Sequence, residues 1–315
     1  MGTPAGRQRG DTAPDTGTPL GRQPLRRIGT KALQRQLWQM RENVAAVCEG
    51  SDAEGIHQMR VATRRLRTMA RVLETTPTFR RGRVSRLRKL LQPLANRLGA
   101  VRDLDILLQH LSEYERTLPA TGQTSSPLYN AILQRREKAL DRLRQTLQQP
   151  TIQTLLRHPR GEVKRLVTRR RSGRRLLVRH VTGSALWTRY EAILSYEDAV
   201  AGAATTRQLH ALRIACKQLR YALELSSEDS DARARSLQQT LKDTQDHLGD
   251  LQDCVFAVTL LTRLRRDQPS NQLLEGFRAA QESRQDILRQ GFAPVWERIS
   301  GDPYRRDLAA LIAAL

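Results

Sequence analysis

His57, Arg60, Arg64, Arg67 and Arg71 follow one another at three- and four-residue steps, and His210, Arg213, Lys217 and Arg220 repeat that register about half a chain later. These side chains are N–H donors carrying or accepting positive charge, so the chemistry they offer is recognition of an anion, phosphate above all. Arginine outnumbers lysine here, and its planar fork of donors matches phosphate oxygens better than a point charge does.

The spacing also says what must hold these groups. At about 100° per residue the five cationic positions of the first stretch fall within roughly 80° of a helical circumference. Met59, Ala62, Leu66, Met69 and Leu73 gather on the other side, and Leu212, Ala215, Leu219 and Leu223 do the same in the second stretch. Each helix therefore has a core face that fixes its basic stripe. Stacked cations repel by a few tenths of a kcal/mol per close pair on a helix, so an anionic partner is expected. A solvated basic face is the bland reading of one such stripe; recurrence of the register favours an anion site. Glu224 departs from a purely basic second stripe and is read as paired with a neighbouring arginine. Tyr221 is read as core or interface.

Both stretches resemble the CHAD domain (conserved histidine α-helical domain) family, whose repeats carry His-x-x-Arg followed by Lys or Arg and a further Leu-Arg. The segment Leu209–Glu224 is the closest match, and a second shared element follows each copy: Leu98-Gly99-Ala100-Val101-Arg102-Asp103 and Leu248-Gly249-Asp250-Leu251-Gln252-Asp253. The histidine and the glycine of that element are 42 residues apart in the first half and 39 in the second, so whole helical units are repeated. The resemblance covers about residues 28 to 300. It implies an all-α fold of two similar antiparallel bundles related by an internal pseudo-two-fold axis around a basic central pore or groove. It also implies inorganic polyphosphate as ligand and a binding, non-catalytic role in targeting to or organising polyphosphate bodies. Polyphosphate contacts are assigned to His57, Arg60, Arg64, Arg67, Arg71, His210, Arg213, Lys217 and Arg220, with Lys89, Arg97 and His247 added for their nearness to the repeated Leu-Gly element. The two histidines are expected to gain charge beside phosphate, which predicts binding that weakens from pH 6 to pH 8.5. Asp103 and Asp253 are read as anchors for basic side chains.

Composition points the same way without any family. The 315 residues hold 54 Lys plus Arg against 32 Asp plus Glu, a formal charge of +22, so the partners are anionic: polyphosphate, nucleic acid or an acidic surface. No apolar run approaches the roughly 18 residues of a membrane span, and no hydrophobic signal core opens the chain. A cytoplasmic location follows, with association with polyphosphate granules implied by the resemblance. No membrane partner, metal or other cofactor is expected. Cys48, Cys216 and Cys254 have no CxxC spacing and read as reduced, and the six histidines contain no HxxxH pair.

Along the chain, residues 1–27 read as a disordered leader, 28–150 as the first helical repeat, 151–300 as the second, and 301–315 as a short amphipathic tail. Pro93 is expected to kink or break a helix spanning about 79 to 118. Single helices are expected near 184–201, 206–226, 232–267 and 271–299. The arginine-rich run 157–179 reads equally well as a rim of the ligand site or as a solvated face.

Two rival functions are weighed against this reading. A polyphosphate hydrolase of the triphosphate-tunnel kind needs a strand-borne Glu-x-Glu-x-Lys; Glu113-Tyr-Glu115-Arg-Thr117 lacks the lysine. A di-iron bundle needs two Glu-x-x-His pairs, and only Glu54-Gly-Ile-His57 fits. No GxxxxGK loop is present. The stronger rival is nucleic acid gripped through its phosphates, with an accessory role to a polyphosphate-acting enzyme as a further alternative. The stripes hold no aromatic residue except Tyr221, which argues against stacking of single-stranded bases.

Overall fold

A computed structural model describes residues 20–50, 53–118, 127–168, 176–202, 204–226, 231–266 and 271–315. Among the described residues the chain is α-helical throughout, with no strand and two isolated antiparallel bridges, Pro24 to Leu177 and Phe79 to Val167. The helices of the first half are α1 (Leu25–Glu42), α2 (Val44–Glu49), α3 (Ala53–Glu74), α4 (Arg81–Glu115) and α5 (Pro127–Leu147). Two short helices follow, α6 (Pro150–Arg157) and α7 (Pro159–Leu166), each opened by a proline in its first turn, where the missing N–H costs nothing. The second half comprises α8 (Arg179–Leu194), α9 (Glu197–Ala201), α10 (Thr206–Ser226), α11 (Ala232–Arg265), α12 (Gln272–Gln290), α13 (Ala293–Ser300) and α14 (Asp302–Ala314).

Packing partners recur between the halves. α1 lies on α3, α3 on α4 and α4 on α5; in the second half α8 lies on α10, α10 on α11 and α11 on α12. The halves meet through α3 against α10 and α4 against α11. One apolar cluster fills the first half, a second fills the other, and a third forms where the C-terminal parts of α4 and α11 meet α5 and α12, around Leu107, Leu111, Leu261 and Phe277.

The rotation of α3 is fixed by Ile56, Met59, Leu66 and Leu73, all fully buried, and each such side chain contributes about 1.5–3 kcal/mol. Leu212, Leu219 and Leu223 lock α10 in the same way. At Gly29 an added Cβ would lie 2.9 Å from the Phe79 ring and 3.0 Å from Leu73, so a hydrogen lets α1 come close to α3. Gly50 ends α2 in the left-handed region at φ 75°. Its exposed helix-end carbonyls are taken by α5: Arg144 donates to Cys48 O and Glu49 O, and Arg136 to Gly50 O.

Several boundaries differ from the sequence reading. α4 runs through Pro93 without a break: the proline and Lys89, whose carbonyl loses its partner, are both exposed, so water can satisfy that carbonyl. The helices expected at 184–201 and 271–299 are each two, divided before Glu197 and after Gln290. The first apolar cluster continues through Ile152, Leu155, Val163 and Val178, past the expected division at 150, because α6 and α7 fold back onto α1. The C-terminal segment is a helix whose Leu308 and Leu311 belong to the second core. α1 already begins at Leu25; the remainder of the expected leader, residues 1–19, lies outside the described residues, as do 169–175 of the arginine-rich run and the loop 119–126.

Candidate anion-binding site

The contact of α3 with α10 turns the two basic stripes toward each other. Arg60 and Arg64 of α3 and Arg213 and Lys217 of α10 form one electrostatic cluster, each feeling the others' charge. Behind them, α4 contributes Arg102 and Asp103, and α11 contributes Asp253. The second-half arginine lies across its own α11: a Cβ on Gly249 would be 3.0 Å from Arg213 Nη2, so the glycine of the repeated element makes room for the guanidinium. Gly99, its counterpart in α4, faces open space.

The same partnerships appear in each half. Arg60 is close to Asp103 and Arg213 to Asp253. His57 lies beside Arg102, while His210 donates from Nδ1 to Gln252 Oε1 at 3.0 Å. The substitution of Gln252 for an arginine at the matching place leaves the second histidine exposed and hydrogen-bonded, and the first half-buried next to a cation.

Burial and mutual repulsion dominate the electrostatics. Desolvation, followed by Arg213, Arg64, Arg60 and Arg220, lowers Lys217 to about 6, so at neutral pH this amine is mostly uncharged. Burial lowers the Arg60, Arg64 and Arg213 guanidinium groups too, yet guanidinium stays protonated in proteins. Burial raises Asp103 in spite of Arg60 and Arg213, and raises Asp253 to about 6 against the pull of Arg213. His57 is held below its usual value by burial and Arg102. Burial first and the neighbouring arginines second lower Lys217, and an anion among these groups would supply both the acceptors and the negative charge that they lack.

Donors point the same way. His57 Nδ1, Arg64 Nε and Arg67 Nε are buried without an acceptor among the described residues, and a buried polar group left so costs about 1–3 kcal/mol. Tyr221, fully buried, supports the seam from beneath: the guanidinium carbons of Arg220, Arg64 and Arg65 lie 5.1, 5.6 and 6.0 Å from its ring centre. Glu224 takes Arg65 at 3.4 Å and Arg220 at 3.7 Å.

Not every expected residue joins this cluster. Arg67 donates to Gln92 of α4 and sits farther along α3 with Arg71 and with Arg88 of α4, which pairs with Glu74 at 3.5 Å; Arg71 also faces Arg189 of α8. That set extends the basic seam beyond the central cluster. Lys89 and Arg97 are exposed on α4. His247 donates from Nε2 to Leu288 O at 2.7 Å and packs on Phe292, ring centres 5.6 Å apart, so it ties α11 to the α12 end. Sequence reasoning missed Arg88, Arg102 and Arg189 as members of the seam. Arg102 stands inside the repeated element and was the most accessible of the three; α8 carries no motif that singles out Arg189. Asp103 and Asp253 are surrounded by arginines, and among the described residues no three His, Cys, Asp or Glu side chains converge as metal ligands.

The profile of the CHAD domain matches residues 31–262, most of the chain and both basic helices. This chain belongs to the CHAD domain family. Its fold is similar to that of the CHAD domain from the plant Ricinus communis, with a TM-score of 0.66 at 23% identity over 92% of this chain and 93% of that one. It is also similar to PptA from Streptomyces chartreusis, with a TM-score of 0.64 at 16% identity over 87% of this chain and all of that one. No curated protein sequence matches it. The resemblance read from His57-Gln-Met-Arg60 and His210-Ala-Leu-Arg213 thus extends to the whole helical arrangement. Among the described residues no helix is long and apolar enough to cross a membrane.

Proposed function

We propose that this CHAD domain binds inorganic polyphosphate without chemically altering it, in targeting to or organising polyphosphate bodies. The observation that carries the reading is the convergence of Arg60, Arg64, Arg213 and Lys217 across the α3–α10 contact, where burial first and the arginines' charge second lower the lysine. A linear polyphosphate has neither base nor sugar, so it can be recognised only as closely spaced charge along a track. Facing stripes provide that track, and Arg67, Arg71 and Arg88 lengthen it. Each guanidinium bond to a phosphoryl oxygen contributes about 1.5–3 kcal/mol where partly buried. The two sets of His, Arg and Asp are the basis for regarding the halves as related by a two-fold axis along a basic groove. Tyr221 argues against stacking of single-stranded bases: it is buried beneath arginines and offers no face to a base.

The test is competition. Labelled long-chain polyphosphate is displaced, at fixed salt, by unlabelled polyphosphate, RNA, DNA or orthophosphate, with wild type and Arg60→Ala/Arg213→Ala. Polyphosphate is expected to displace best and the double variant to lose about 100-fold in affinity, two lost charge-assisted contacts at about tenfold each. RNA displacing the label as readily as polyphosphate would overturn the assignment.

A further inference from the structure

The two stripes differ at their C-terminal ends. Fourteen residues after its histidine the first copy carries Arg71, and the second carries Glu224. Glu224 Oε2 lies 3.4 Å from Arg65 Nε of α3 and its Oε1 3.7 Å from Arg220 Nε of α10, so one carboxylate bridges the two helices that bear the stripes. The bridge belongs to the seam: Arg220 adds to the charge that lowers Lys217 and Arg64, and the Tyr221 ring lies under Arg64, Arg65 and Arg220 together.

The three side chains are 33% (Arg65), 22% (Glu224) and 15% (Arg220) exposed, so salt screens this contact less than a surface ion pair. The Nε atoms of Arg65 and Arg220 are nevertheless buried and make no hydrogen bond among the described residues. Glu224 therefore balances charge at this end of the seam and leaves both donors unsatisfied. An anion whose oxygens reached them would gain hydrogen bonds that the carboxylate does not supply.

We propose that Glu224 is a specificity-determining residue that sets a threshold of charge density, admitting condensed phosphate chains and disfavouring nucleic acid; this rests on polyphosphate being the ligand of the seam. An incoming anion has to take Arg65 and Arg220 from a carboxylate that stays tethered beside them and repels it. A phosphodiester brings one charge, with the next a whole sugar away, so it exchanges one negative charge for another and gains little. Adjacent phosphoryl groups of polyphosphate are joined through a single bridging oxygen. Two charges then arrive together, one for each arginine, with acceptors for both Nε atoms. The acid costs both ligands affinity and costs nucleic acid more.

The test is the ratio of affinities for long-chain polyphosphate and for poly(U), a single-stranded RNA, measured on the full chain at fixed salt. Glu224→Gln should tighten both, poly(U) more, so that the preference for polyphosphate falls about fivefold or more. Glu224→Asp keeps the charge and should keep most of the preference. Glu275→Gln is the control: on α12, Glu275 bridges Arg265 at 2.7 Å and Arg278 at 3.3 Å, so its loss adds the same net charge away from the stripes and should leave the ratio unchanged. Arg71→Glu, at an exposed position, gives the first stripe the matching acid beside Arg67 and Arg189 and should raise the preference. It reads the proposal even where Glu224→Gln disturbs folding, which melting temperatures report. A ratio unchanged by Glu224→Gln, lowered equally by Glu275→Gln, or not raised by Arg71→Glu, with wild type still preferring polyphosphate, would overturn the role of Glu224 alone. Wild type binding poly(U) as tightly as polyphosphate would overturn the ligand of the seam and this proposal with it.

Discussion

Polyphosphate binding in the proposed seam is predicted to take up a proton through Lys217. In the free protein it titrates at about 6, lowered first by burial and then by Arg213, Arg64, Arg60 and Arg220. At pH 8 only about 1% of it is protonated, two units above its pKa. A phosphoryl chain in the seam cancels the arginine charge and supplies the acceptors that burial removed, returning the amine toward its ordinary 10.5. Binding then takes up close to one proton at pH 8, and by linkage the association constant falls about tenfold per pH unit between about pH 7 and pH 9. His57 adds uptake at lower pH, because its value in the free protein is already below 6.5. The assay is calorimetric titration with long-chain polyphosphate in pairs of buffers differing in ionisation enthalpy, which counts protons directly, on wild type and Lys217→Met. The variant should lose the slope above pH 7 and approach wild-type affinity at pH 9. A wild-type affinity flat from pH 7 to 9, or a slope unchanged by Lys217→Met, would refute the reasoning.

The same titration predicts stability without ligand. For Lys217 the unfolded chain binds the extra proton between pH 6 and 10.5, so its contribution to stability rises with pH across that window; Asp253, raised to about 6, makes stability fall as pH rises from about 4 to 6. The ligand-free melting temperature should therefore pass through a minimum near pH 6, and Lys217→Met should remove the rise above it. Glu224→Gln frees Arg65 and Arg220 from their shared carboxylate, so polyphosphate binding should tighten and its dependence on salt steepen, both read from titrations at several salt concentrations. Gly249→Ala places a methyl 3.0 Å from Arg213 Nη2, whereas Gly99→Ala meets open space. The first should weaken binding, and the second should stabilise the protein by about 0.5–1 kcal/mol in denaturant unfolding. His247→Ala loses the bond to Leu288 O and the ring contact with Phe292; about 1–2 kcal/mol of stability should go while polyphosphate affinity stays.

The amino-acid sequence determined the helices, their buried faces and the composition of each stripe, because helical periodicity is a local property. Met59, Leu66, Leu73, Leu212, Leu219 and Leu223 are buried where their spacing placed them, and α10 begins and ends at the residues that the pattern marked. Spacing along one helix says which residues share a face, and says nothing of which face meets which. Only tertiary packing put Arg60 and Arg64 against Arg213 and Lys217, set Asp103 and Asp253 behind them, and gave Arg67 and Arg71 to a neighbouring set with Arg88 and Arg189. Packing likewise turned His247 to a backbone carbonyl and folded α6 and α7 into the first core. The lowering of Lys217 arises only there, since it depends first on the water excluded around the amine and then on charges brought together from two helices far apart in the chain.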